Sequence, residues 1–206
     1  MTTEKSEQSE NAEEVDLSIS LAKANIAGLP LFLTTFALVI FIYYWLWGSV
    51  SLLTALNIFF HLGTLLPLVL SGVVVHEGMH AIGWMLAARL PMNTMKFGFS
   101  VKTLTPYAHC KVPIGASAYR IGVILPALVL GIVPAIAGIA AHNGTAMLFG
   151  ALFLSSASGD MLCLWIMRRV PRDELVRDHP TRAGCLIVKP AGALRQVTVE
   201  SPGTDN

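Results

Sequence analysis

Charge is what this sequence has least of. Asp, Glu, Lys and Arg make up 13 % of its 206 residues, against roughly 25 % in an ordinary soluble domain. Between residues 17 and 172 the only acids are Glu77 and Asp160, and each falls inside an apolar run. So little charge beside 54 % apolar residues predicts a chain solvated largely by lipid. Cysteine is scarce as well. Cys110, Cys163 and Cys185 stand far apart and form no Cys-x-x-Cys, which excludes a disulfide framework and makes thiolate zinc ligation a minor option. A basic leader followed by a short apolar core is missing too, so no cleavable signal peptide is expected. The Lys and Arg residues flank apolar segments instead of forming a patch, which argues against a nucleic-acid partner. No internal repeat is visible.

Four apolar segments reach the roughly 20 residues that a bilayer requires: residues 26–47, 59–90, 119–141 and 145–167. The first ends in Tyr43-Tyr44-Trp45-Leu46-Trp47, aromatics suited to a headgroup boundary, and an uncharged link, residues 48–57, follows. The second is longer than a bilayer needs and should tilt or bend, with Pro67 as the place to bend. Gly72, Gly83 and Ala87 lie on one side of it and let a neighbouring helix approach. Pro126, Gly131, Pro134 and Gly138 predict a kinked, closely packed third helix. His142-Asn143-Gly144 predicts a turn, with His142 an interfacial residue of no particular role. Residues 95–102 alternate apolar and polar, the signature of a half-buried strand or one arm of a hairpin. That strand either lies at the membrane surface or forms an edge near the active site able to pair with an extended substrate. Residues 184–188 predict a further short strand.

All 14 Lys and Arg lie in residues 1–28, 89–120 or 168–206. By the positive-inside rule, both termini and the link between the second and third spans are cytosolic. The expected architecture is an all-α polytopic membrane protein: four transmembrane helices, with a small cytosolic-side strand or hairpin between helices 2 and 3. Its parts are a disordered cytosolic tail (1–25), a transmembrane domain (26–169) and a cytosolic C-terminal tail (170–206).

The second span carries His76-Glu77-Gly78-Met79-His80. On a helix His76 and His80 share a face one turn apart, so two imidazoles can serve one tetrahedral zinc. Glu77 lies beside them, within reach of a proton on water held there. Ionisable side chains in a span are costly and mark function by default. A third ligand is required. His80 lies nine residues before Arg89 and Asp160 eight before Arg168, placing both about 12–13 Å from the same boundary at 1.5 Å per residue. Asp160 is therefore the first choice for the third ligand. His109 is the rival, if its strand folds back into the membrane, and hydrogen bonding of Asp160 to Ser156 or Ser158 is the purely structural alternative. A metal transporter would explain the same residues, but the chain lacks an inverted repeat and a polar path. A non-proteolytic scaffold would need zinc only structurally or not at all.

These residues carry a family resemblance. His76-Glu77-x-x-His80 in an early span, an amphipathic segment after it and Asp160 in a late span resemble site-2-protease-type intramembrane zinc metalloproteases. With Lys96-Phe97-Gly98-Phe99, Tyr107-Ala108-His109-Cys110 and Ser158-Gly159-Asp160, the layout over roughly residues 60–188 resembles the putative zincin peptidase family of small membrane proteins. The resemblance implies zinc held by His76, His80 and Asp160, and Glu77 as base. In the site-2-protease class the aspartate is commonly followed by glycine, whereas here Gly159 precedes Asp160 and Met161 follows. The expected function is hydrolysis of peptide bonds in membrane-embedded or membrane-adjacent substrates, in the cell membrane. His109 is a further possible substrate or oxyanion contact.

Overall fold

The computed structural model describes residues 13–100 and 105–189. Strand β1, Glu13–Ile19, opens the described chain. Helix α1, Leu21–Phe59, follows, with Ser20 Oγ accepting the Lys23 N–H as its N-cap. Of the tail expected to run to residue 25, residues 13–19 form this strand and residues 21–25 the start of the helix; residues 1–12 lie outside the described residues. The signal was present in Val15, Leu17 and Ile19, which alternate with polar residues. The partner they pair with lies at the other end of the chain.

Helix α1 breaks at Gly48 (φ 78, ψ 175) and resumes to Phe59. That conformation is open essentially to glycine alone. The link expected at residues 48–57 is therefore helical. The chain turns at Phe60 and His61 into α2, Leu62–Ala88, which stays helical through Pro67. Beyond it, β2 (Met95–Ser100) and β3 (Thr105–Cys110) form an antiparallel hairpin, with Lys96 opposite His109 and Phe97 opposite Ala108.

A short strand β4, Ile114–Gly115, leads into α3, Ala116–Pro126. A π-helical stretch, Ala127–Ile132, follows directly and runs into α4, Val133–Ala140. The kink predicted for this span takes the form of a wide turn between Pro126 and Pro134, where missing proline N–H groups interrupt the regular ladder. Helices α5 (Gly144–Ser156) and α6 (Ser158–Ile166) are separated at Ala157. The chain closes with β5, Leu175–Asp178, and β6, Ala183–Lys189.

The second sheet was not foreseen. It is four-stranded, ordered β1-β6-β5-β4, and antiparallel throughout. The protein is therefore mostly helical with two small sheets, rather than all-α with one hairpin. Part of the expected C-terminal tail, residues 175–189, belongs to this sheet. Residues 190–206 lie outside the described residues.

Four helical stretches are long and apolar enough to cross a membrane: Leu21–Phe59, Leu62–Ala88, Ala116–Ala140 and Gly144–Arg169. Their outward faces are apolar, with Ile26, Trp45, Val50, Leu70, Leu86 and Ile136 all exposed. One buried cluster joins Trp84, Tyr119, Ile114, Cys110, Val176 and Cys185, where helices meet sheets. Another, around Tyr43, Phe59, Met147 and Leu148, holds the opposite end. His142 has a structural part there. It stacks on Trp47 at 4.2 Å, and its Nε2 lies 2.7 Å from Ser51 Oγ. Arg120 donates to the carbonyls of Met167 and Val170, both at 2.6 Å, capping the end of the last long helical stretch.

Candidate metal centre

The i, i+4 spacing on α2 places the rings of His76 and His80 4.9 Å apart, edge to face. Asp160, in the first turn of α6, reaches both. Its Oδ2 lies 3.2 Å from His76 Nε2, and its Oδ1 lies 3.5 Å from His80 Nε2. The three ligand atoms all lie within 4.8 Å of one another. The 3.2 Å approach is not aligned as a hydrogen bond, and Asp160 Oδ2 is buried without a hydrogen-bond partner. Ser156 Oγ donates to the Leu152 carbonyl at 2.8 Å, so it does not supply one. A buried carboxylate oxygen left unpartnered beside two imidazole nitrogens is the arrangement a cation would complete. The donor set, two nitrogens and one carboxylate, suits zinc.

His80 and Glu77 are each held from outside the motif. His80 Nδ1–H donates to the Gly122 carbonyl at 2.9 Å. A carbonyl only accepts, so Nδ1 carries a proton, and Nε2 is the ring nitrogen turned toward Asp160. Close packing makes this contact. A Cβ on Gly83 would lie 2.6 Å from Gly122 Cα, and one on Gly122 would lie 2.1 Å from the Trp84 ring. Small residues on α2 and α3 therefore bring backbone within reach of an imidazole. Trp84 stacks on His80 at 5.7 Å and on Tyr119 at 5.6 Å, and its Nε1–H donates to the Tyr119 carbonyl at 3.1 Å. Gly72 serves a second helix contact, receiving the Phe153 ring.

Glu77 faces the hairpin. The Ala108 N–H of β3 donates to Glu77 Oε2 at 2.8 Å. The strand thus stands beside the motif, and the carboxylate is oriented without being drawn into the three-ligand group.

His109 is not brought to that group. Strand alternation turns its side chain to the other face from Ala108, where its Nδ1–H donates to Asp178 Oδ2 at 2.8 Å. The other oxygen of Asp178 accepts the Tyr119 hydroxyl, also at 2.8 Å. Asp178 therefore ties the strand that grips Glu77 to the helix that grips His80. Neither Asp178 nor Gly122 was singled out in the sequence, where one is a charge in a polar tail and the other a small residue in a span. Asp178→Ala removes the acceptor of His109 and leaves the Tyr119 hydroxyl only its 3.4 Å contact with the Gly184 carbonyl, and is expected to lower stability by about 1–3 kcal/mol. Thermal unfolding of purified protein reads this directly; an unchanged midpoint would show that water replaces the carboxylate at no cost.

Residues 69–175 match the model of a family described as Putative zincin peptidase. The match covers just over half of the chain and includes all three clustered residues and Glu77. No curated protein and no solved structure matches the chain.

Proposed function

Because the chain belongs to the putative zincin peptidase family, we propose that it is a zinc-dependent intramembrane metallopeptidase of the site-2-protease type. The observation that carries this reading is the convergence of His76, His80 and Asp160 within 4.8 Å, next to Glu77, from two long apolar helical stretches. In this reading the four long helices cross the cell membrane with both termini cytosolic, and the centre lies in the cytosolic half.

His76 and His80 would hold zinc through Nε2, and Asp160 through its carboxylate. Zinc supplies Lewis acidity to such a site, acting on a substrate carbonyl and on water. Glu77 takes a proton from the attacking water and passes it to the departing amine. The Ala108 amide keeps that carboxylate in one rotamer, and the Gly122 carbonyl keeps His80 in the tautomer with Nε2 free. The substrate is a membrane-embedded or membrane-adjacent segment that has become extended, because a helix locks its peptide groups in its own hydrogen bonds. The hairpin beside Glu77 provides strand edge for such a segment to pair with.

Glu77→Gln tests this directly. Glutamine keeps size and the Ala108 contact but cannot take the proton. The variant is expected to keep its zinc and to hydrolyse a reconstituted transmembrane reporter about 10²–10⁴-fold more slowly. A Glu77→Gln protein as active as the wild type would rule Glu77 out as the base. Wild-type protein that binds zinc and cleaves no membrane reporter would favour a structural ion in a scaffold.

A further inference from the structure

A cleft of about 480 Å3 lies between the β2–β3 hairpin and the four-stranded sheet. Lys96, His109 and Lys111 line it from the hairpin side, and Glu14, Arg177 and Asp178 from the sheet. The hairpin residues converge by register. Lys96 is paired with His109, and Lys111 lies two residues further on the same face.

Three cations thus face two carboxylates, and both carboxylates are already engaged. Glu14 pairs with Arg177. Asp178 accepts from His109 and Tyr119. Among the described residues, neither Lys96 nor Lys111 has an acidic partner. Asp178 also fixes the His109 ring through Nδ1, so Nε2 is the atom left for the cleft. Two ammonium groups that have no acidic partner among the described residues, and that can only donate, form a receptor for a compact anion with several acceptor oxygens.

The position of the cleft says where such an anion comes from. β1 runs into α1 at Leu21, β4 into α3 at Ala116, and β5 follows α6 after Arg169. The sheet therefore sits at one shared end of three long apolar helices, the end where Lys and Arg concentrate. On the opposite face of the hairpin, Phe97 and Phe99 are exposed, as suits a segment lying against acyl chains. We propose that this cleft is a phosphate-binding site for the headgroup of an anionic phospholipid, gripped by Lys96 and Lys111 with His109 beside them. The proposal rests on the four-span topology and not on peptidase activity.

The test uses full-length protein in nanodiscs of phosphatidylcholine alone or with phosphatidylglycerol, with retained lipid measured by native mass spectrometry. Wild type is expected to retain phosphatidylglycerol in preference to phosphatidylcholine. The double variant Lys96→Gln/Lys111→Gln is expected to bind it about 30-fold more weakly, at about 1 kcal/mol per cation and 1.4 kcal/mol per tenfold. The pair Lys23→Gln/Arg172→Gln, cations near the same end but outside the cleft, should bind like wild type, and Lys96→Arg/Lys111→Arg should restore binding. A thermal unfolding midpoint equal to wild type in each variant verifies that the fold is intact. Inorganic phosphate separates the sources: lysine-dependent binding of phosphate without lysine-dependent retention of phosphatidylglycerol makes the ligand a soluble phosphate in the same site. Retention that ignores the two lysines, with no lysine-dependent binding of phosphate, overturns the proposal whether or not the protein hydrolyses peptides.

Discussion

His80→Ala and Asp160→Ala proteins are each expected to purify without zinc, while His109→Ala keeps close to one zinc per chain. The asymmetry follows from position. His80 Nε2 and the two Asp160 oxygens lie within 3.2–3.5 Å of their opposite numbers. His109 instead donates to Asp178, on the far face of its strand. Losing one of three protein ligands should weaken binding by more than the roughly 100-fold that removal of an outer partner can cost. Metal analysis of detergent-purified protein decides the matter. If Asp160→Ala kept its zinc and His109→Ala lost it, the third ligand would be His109, and the hairpin would have to turn over. If the wild type held no zinc after losses in purification were controlled, the three residues would be a polar helix-packing group.

Gly83→Ala should be among the most damaging single-methyl changes the chain can suffer. The added Cβ would lie 2.6 Å from Gly122 Cα, 3.2 Å from Gly122 N and 3.4 Å from the Ile121 carbonyl oxygen. All three are backbone atoms, so no side chain can rotate away and α2 must move off α3. Overpacking of this kind costs about 1–3 kcal/mol or more. It also pulls His80 away from the Gly122 carbonyl that accepts its Nδ1–H at 2.9 Å, and loss of such an outer-shell partner weakens metal binding by about 10–100-fold. Gly78, inside the motif itself, supplies the contrast. A Cβ there meets nothing within 4 Å, so Gly78→Ala should be neutral or stabilise the helix by up to about 1 kcal/mol. Thermal unfolding and competition with a zinc chelator measure both effects. A Gly83→Ala protein as stable and as tight for zinc as Gly78→Ala would mean that the two helices are not locked together at this point.

Local pattern carried much of the fold. Long apolar runs mark the four helices, because runs of this length exceed what a strand takes and hold few turn residues. Alternation in Met95–Ser100 marks a strand for an equally local reason. The four-stranded sheet was missed because its pairing is not local. Val15 meets Ile187 and Ile114 meets Val176, and nothing in a five-residue window says which distant segment a strand will find. Gly48 reads as a loop for a related reason: a single left-handed residue breaks a helix without ending it.

The centre divides in the same way. The sequence by itself determined that His76 and His80 share one face and that Glu77 stands beside them, since a helix permits no other arrangement of those spacings. Depth, a matter of counting residues from charged boundaries, made Asp160 the first choice for the third member, with His109 its rival. Only the tertiary structure decided which of these side chains meet. Packing of α6 against α1 and α3 brings Asp160 to the histidines, and the alternation of side chains along β3 turns His109 away. The fold also supplied the partners that no motif contains: the Gly122 carbonyl for His80, the Ala108 amide for Glu77, and Asp178 binding their two supports together. These are backbone groups and a tail carboxylate, and their roles depend on close approach between segments tens of residues apart.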